Sequence, residues 1–331
     1  MKLAIWCVPV LLLLALRGAG PRIVVRAERT GPVPILKPGP AWSSTGLFNP
    51  AAMEVNGKTV LLFRATDAGM TSRIGYAESA DGLNFAIRDS PVLEPQAPYE
   101  KGGGVEDPRL VRINGLYYLT YTGYNRKDAQ LCLATSKDLI HWERKGVILP
   151  AYKGTWNTKW TKSGAIIPEK IGGRWWMYYL GTRTDPDGKN RDYMGLASST
   201  DLQHWADATT NPVLDRRPGA FDSRVMEPGP APIITSAGIL LLYNGASEDL
   251  IYGPAWALFD RNDPAKLIAR ADLPFLLPTL GWEKKGVVPN VIFLEGAVAL
   301  PERNKHIEVL GYYGAADHVI GAVNIHLTIG E

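Results

Sequence analysis

Two acids stand side by side at Glu106-Asp107, between a glycine run (Gly102 to Gly104) and Pro108-Arg109. Glycosidic bond cleavage uses one carboxylic acid to protonate the leaving oxygen and a second group to activate, or to be, the nucleophile. Two acids and an arginine at the mouth of a buried hairpin are costly to desolvate unless paired. The bland account is a turn closed by an ion pair between Asp107 and Arg109. The sharper account makes Asp107 a catalytic carboxylate, and the rest of the chain must then supply its partners.

The elements around this stretch are legible. Leu110 to Ile113 alternates, Asn114-Gly115 is a strong hairpin signal, and Leu116 to Thr122 is rich in aromatic and β-branched residues. The phrase recurs. A hairpin ending in an aliphatic-aromatic strand appears at 49–64, 106–123, 164–181 and 229–245, and a fifth time from Asn290 continuing to Asp317. A second phrase follows the first three copies, at 76–85, 133–142 and 196–205. Each copy of it is a short strand, an Asp-led turn and a closing aromatic (Phe85, Trp142, Trp205). Units about 60 residues apart have the size of a four-stranded blade with its loops. The expectation is an all-β fold, a five-bladed β-propeller with a central funnel. A β-sandwich or two separate β domains would not repeat the same ten residues.

In a propeller the strand starts converge on the axis. That set includes Asn49, Asp107, Lys162, Glu169, Glu227 and Glu295, ringed by Tyr121, Tyr124, Trp156, Trp160, Tyr243 and Tyr313. Such a funnel fits a sugar, with aromatic faces against C–H surfaces and polar side chains on hydroxyls. Carboxylates and aromatics also line structural channels, so an enzyme, a sugar-binding propeller and a merely structural lining all remain open on spacing alone.

Other chemistries are poorly served. The five histidines show no paired ligand spacing, and Asp185-Pro-Asp-Gly188 lacks the later ligands of a calcium loop, so it reads as a turn and no metal is implied. There is no phosphate-cradling glycine loop or nucleophile elbow, and no organic cofactor is called for. Residues 1–27 read as a secretory signal or N-terminal anchor, with Leu3 to Leu16 as its apolar run and Val25-Arg26-Ala27 as a cleavage site; residues 28–331 then form one domain, exported. That leader holds four basic residues and no acid, so the formal charge falls from +3 to −1 without it, and nothing points to nucleic acid. Cys7 lies in the leader, which leaves Cys132 alone and excludes an intramolecular disulfide in the mature chain.

At four phrases the sequence resembles glycoside hydrolase family 130: Gly104-Val-Glu-Asp-Pro-Arg-Leu110, Pro168-Glu-Lys-Ile171, Glu227-Pro-Gly-Pro230 and Tyr312-Tyr-Gly-Ala-Ala-Asp317. The resemblance implies a five-bladed propeller acting on β-mannosides with inversion, by water in the hydrolases or by phosphate in the phosphorylases. It implies Asp107 as general acid, working through a hydroxyl of the bound mannosyl unit, and Asn49, Arg64 and Asp317 as sugar ligands. Glu106, Arg109, Lys162, Tyr243, Asn244 and Glu295 are counted with them as substrate-binding. Two departures bear on the nucleophile. The run Tyr178-Tyr-Leu-Gly181 has no cation where the phosphorylases carry His-Arg-Pro, and Tyr243-Asn244-Gly245 stands for their Tyr-His-Gly. Phosphate wants fixed cations. Glu227 also stands where those enzymes have a small residue. The leading expectation is therefore an inverting β-mannoside hydrolase with Glu227 as general base and Glu295 in reserve. The alternatives are a phosphorylase releasing mannose 1-phosphate, to which Lys162 and Arg183 would contribute cations, and a non-catalytic sugar-binding propeller.

Overall fold

The computed structural model describes residues 22–330, so the leader reading for residues 1–21 lies outside the described residues. The chain enters on β1 (Arg22–Arg29) and then makes five antiparallel runs. The first is β2 (Gly46–Val55), β3 (Lys58–Thr66), β4 (Ser72–Ser79) and the two-residue β5 (Ala86–Ile87). The second is β6 (Gly104–Ile113), β7 (Leu116–Tyr124), β8 (Ala129–Ser136) and β9 (Glu143–Leu149). The third is β10 (Thr161–Ile166), β11 (Trp175–Thr184), β12 (Asn190–Ser199) and β13 (Ala206–Asp207). The fourth is β14 (Val225–Pro228), β15 (Ile233–Thr235), β16 (Gly238–Ala246), β17 (Tyr252–Phe259) and β18 (Leu267–Arg270). The fifth is β19 (Ile292–Ala299), β20 (His306–Ala315) and β21 (Val319–Gly330), with β1 added at its outer edge. Among the described residues helix is confined to one turn of α-helix, α1 (Gly281–Lys284), and two short 3₁₀ turns. No helix among the described residues is long and apolar enough to cross a membrane.

The all-β class expected from the sequence is what the chain adopts. The five runs fall into four sheets, because the parallel bridge Ser72↔Gly104 joins the first two runs into one. No sheet closes on itself. The runs do succeed one another in space. β2 packs against β6, β6 against β10, β10 against β14, β16 and β17 against β19, and β19 against β2. Fully buried strands such as β16, Gly238 to Ala246, form the apolar layers between runs.

The sequence phrases explain the local structure. Asn114 and Gly115 turn between β6 and β7 with φ of 51° and 82°, the left-handed pair that a two-residue hairpin demands. The second phrase builds the same turn three times. Ser79, Ser136 and Ser199 donate to Asp81, Asp138 and Asp201, whose carboxylates accept two backbone N–H groups each. The Trp142 and Trp205 indoles then donate to the Leu139 and Leu202 carbonyls, closing the turn.

The opening strand overlaps the expected leader. β1 pairs residue by residue with β21, from Arg22↔Gly330 to Arg29↔Val323. Cleavage after Ala27 would remove six of its eight residues, because the apolar-alternating tail of the leader reading is in fact an edge strand.

Candidate active site

Side chains reach the centre through a repeated irregularity. In four of the five runs the first strand breaks register at the same place: between Phe48 and Pro50, Glu106 and Arg109, Lys162 and Ala165, and Leu294 and Gly296. A β-bulge leaves a residue unpaired and re-aims its side chain. The residues freed are Asn49, Asp107, Ser163 and Glu295. Asn49, Asp107 and Ser163 have φ of 48°, 51° and 59°, which L-residues adopt at a cost. Asp317, in the turn between β20 and β21, has φ of 50°.

These residues meet in a cavity of about 170 Å³ lined by Asn49, Arg64, Asp107, Lys162, Glu227, Tyr252 and Asp317, with Val288, Val291 and Phe293 as its apolar wall. Asp107 is not held by the Arg109 side chain, as the bland account required. Its Oδ1 accepts from Asn49 Nδ2 at 2.9 Å and from Arg64 Nη1 at 3.1 Å, while Arg109 Nη1 donates only to the Asp107 backbone carbonyl. Arg64 is a clamp. It donates to Glu106 Oε1 at 2.7 Å and to Ser72 Oγ at 2.9 Å, and its guanidinium lies over the Phe48 ring. Burial would push the Asp107 carboxyl up, but Arg64, Lys162, the Asn49 hydrogen bond and Arg109 outweigh it and hold it below the usual range. Asn49 Oδ1 is buried without a donor among the described residues, an acceptor ready for a sugar hydroxyl.

Glu227, on β14, faces the same cavity. It accepts a short hydrogen bond from Ser163 Oγ, and Arg109 Nη2 lies 3.8 Å from its Oε1. Burial pushes its carboxyl up to about 7, with Arg109 opposing and the Asp107 charge adding to the rise. Asp317 is raised in the same way, by burial, to about 6. For Lys162, burial is outweighed by Glu106, Asp107 and Glu227, so its ammonium is held more firmly than usual.

Not every expected ligand is there. Glu106 and Arg109 are buried behind the cavity; Arg109 Nε donates to the Pro228 and Gly229 carbonyls, tying β6 to β14. Glu295 lies behind Arg109, facing a second cavity. Tyr243 is fully buried with its hydroxyl donating to Asp222, and Asn244 clamps the Leu294 backbone with both ends of its amide. Both are corrected from ligands to structural groups: they sit on the central strand β16, deeper than the funnel. The expected aromatic ring dissolves likewise. Tyr121 donates to Glu100, Trp156 packs on Tyr179 and Tyr313 donates to Glu283. Tyr124 is a half-buried edge contact of Trp160, and Glu169 pairs with Arg261 at the surface. Arg183 is engaged by Asp185, whose carboxylate also binds Arg191, Arg216 and Tyr193, so the Asp185-Pro-Asp-Gly188 turn is an arginine anchor.

Sequence reasoning missed Tyr252, Ser163 and a side chamber of about 220 Å³ that shares Tyr252 and adds Lys159, Trp160, Thr182, Asn190, Asp192 and Arg224. Ser163 was within reach, since it occupies the bulge position of Asn49 and Asp107. Tyr252 carried no signal, because it lies outside both repeated phrases.

One family model, described as beta-1,4-mannooligosaccharide phosphorylase, matches the chain over residues 22–329. The chain belongs to glycoside hydrolase family 130. Within that family it is 38% identical to a 1,2-beta-oligomannan phosphorylase of Thermoanaerobacter sp. (strain X514), over 92% of this chain and 98% of the relative. A beta-1,2-mannobiose phosphorylase of the same organism is 34% identical over 91% and 97%. Among solved structures, the Listeria innocua beta-1,2-mannobiose phosphorylase bound to beta-1,2-mannobiose superposes with a TM-score of 0.77 at 26% identity, covering 90% of this chain and 96% of that one. A family structure described with glycoside hydrolases that target beta-1,2 mannosidic linkages in Candida mannan gives 0.78 at 33%, covering 90% and 93%. The family membership makes the chain an enzyme acting on mannosides.

Proposed function

We propose that the chain breaks β-mannosidic bonds with inversion, with Asp107 delivering the proton to the leaving group. The observation that carries this is the Asp107 carboxyl, set by a bulge into the cavity beside Asn49, Arg64 and Asp317, the hydroxyl-binding groups of an inner sugar site. In the free site Asp107 holds its proton weakly, while Glu227 and Asp317 hold theirs near neutrality. Such groups titrate together, and these two line the same cavity as the acid. We read the five runs as the blades of a propeller, supported by the succession of contacts that returns from β19 to β2.

For the acceptor, phosphate takes precedence over the water first expected. The names of the relatives favour phosphorolysis. The side chamber adds support, because Arg224 and Lys159, together with Lys162 of the main cavity, have no carboxylate within ion-pair distance among the described residues. Unpaired cations around Tyr252 suit an anion. Glu227, neutral below about pH 7, would tolerate it there.

Hydrolysis is the second reading, and Glu227 is the specific observation that favours it. A carboxylate facing Asp107 across the cavity is what an inverting hydrolase needs as base, and phosphorolysis does not need one.

Product analysis on β-1,2-linked mannobiose with and without phosphate decides. Phosphate-dependent release of α-mannose 1-phosphate is expected. Free mannose at the same rate without phosphate gives the second reading, and no cleavage of any β-mannoside under either condition overturns the proposal.

A further inference from the structure

Behind the active cavity one guanidinium stands between two acids. Arg109 Nη2 lies 3.8 Å from Glu227 Oε1 on the front and 3.3 Å from Glu295 Oε2 on the back. Glu295 is 1% exposed, and neither of its carboxyl oxygens has a hydrogen-bond partner among the described residues. It is also the bulge residue of β19, in the position from which Asn49 and Asp107 enter the front cavity. Its side chain instead borders a rear cavity of about 310 Å³, whose lining includes the exposed residues Glu54 and Arg112. The rear cavity belongs to the opposite end of the first strands, beyond Leu110 and Val111.

One cation cannot neutralise two buried carboxylates, and an ionised carboxylate without hydrogen bonds is disfavoured in such a place. We propose that Glu295 is a proton-holding positioning residue: it stays neutral behind Arg109, exchanges its proton through the rear cavity, and so leaves the whole guanidinium charge to Glu227 in front. The other titratable or charged groups around the pair are Arg64 on β3, Glu106 and Asp107 on β6, Lys162 on β10, Tyr252 on β17 and Asp317 after β20; Asp107 acts on both acids, Lys162 and Tyr252 on Glu227, and Arg64 on Glu295. Burial pushes the Glu295 carboxyl far up, with Arg109 opposing and the charges of Asp107 and Glu227 adding to the rise. Glu227 accepts a hydrogen bond from Ser163 and Glu295 accepts none, so the front acid ionises first. When Glu295 loses its proton, Arg109 is divided between two carboxylates and the geometry of Glu227 loosens. This inference rests on the reading of the front cavity as the mannoside site, but its first test does not.

Carboxyl carbon NMR of the full chain labelled at glutamate provides that test. Glu295→Gln should delete one resonance that in the unsubstituted protein is still protonated at pH 7 and titrates above it. A deleted resonance that is ionised at pH 7 would overturn the proposal, whether or not the chain cleaves mannosides. The second test is the pH profile of turnover on β-1,2-mannobiose, which a purely structural role would not move selectively. Glu295→Gln should keep turnover at neutral pH within about threefold, leave in place the limb set by Glu227 (alkaline if phosphate enters, acid if water enters) and remove the further loss of turnover at higher pH. A downward shift of the Glu227 limb by a full pH unit would mean that Glu295 was ionised and had been cancelling Arg109, and an unchanged loss at higher pH would mean that it carries no proton that matters; either overturns the assignment.

Discussion

Asp107→Asn keeps the shape and the Asn49 and Arg64 contacts while removing the transferable proton. The variant should fold with an unchanged melting temperature to within a few degrees and lose about 10²–10⁴ of kcat, the usual size of an acid contribution, as steady-state kinetics on β-1,2-mannobiose would show. Glu227 separates the two acceptors by the sign of a pH dependence. If phosphate enters, turnover falls as Glu227 ionises through about pH 7; if water enters, turnover rises through the same range. The same group carries a stability prediction. Its folded carboxyl binds a proton more tightly, at about 7, than the ordinary 4.5. The fold is therefore most stable below 4.5 with respect to this group, weakens as pH climbs to 7 and is level above. At about 1.4 kcal/mol per pH unit the loss is about 3 kcal/mol. Glu227→Gln should accordingly gain most in denaturant midpoint at pH 8 and little at pH 4. At this scale the sequence led to Asp107, Asn49, Arg64, Lys162, Glu227 and Asp317 as side chains lining one cavity, because each lies within two residues of an end of a repeated phrase. It misled at Tyr243 and Asn244, because residue type alone does not tell a funnel-facing strand from the buried strand beside it.

The bulges are the devices that turn a repeated strand into a site. Gly104 shows how little room they leave: with φ of 113°, a Cβ there would lie 2.1 Å from the Ser72 carbonyl oxygen. Gly104→Ala must break the Ser72↔Gly104 bridge and displace Glu106 and Asp107, two and three residues on. It should cost more than about 2 kcal/mol in urea unfolding and reduce kcat at temperatures where the variant is still folded; a stable, fully active variant would contradict the close approach. The Ser-x-Asp turns were legible because the same hydrogen bonds recur wherever the same residues do. The bulges were not, since a one-residue slip leaves the apolar alternation on either side looking continuous. Their sign in the chain is only a polar residue beside a proline or glycine, as in Asn49-Pro50, Asp107-Pro108 and Ser163-Gly164.

Over the whole molecule the all-β class and the five-fold rhyme could be read from the sequence, while the partner of the opening strand could not, because β1 and β21 share no phrase. We propose export through the leader, with processing ahead of Arg22 rather than after Ala27, and N-terminal sequencing of the secreted protein tests it. A chain shortened to begin at residue 28 should unfold several degrees below one beginning at residue 22, since β21 would lose most of its partner; equal melting temperatures would show the edge strand to be dispensable. That pairing also imposes an order on synthesis. As the chain leaves the ribosome, β1 has no mate until residues 319–330 follow it some three hundred positions later. Contacts so far apart along the chain form slowly. Until then Val24 and its neighbours offer an open edge to any strand within reach, so the emerging protein is most in need of a chaperone in the interval before β21 follows.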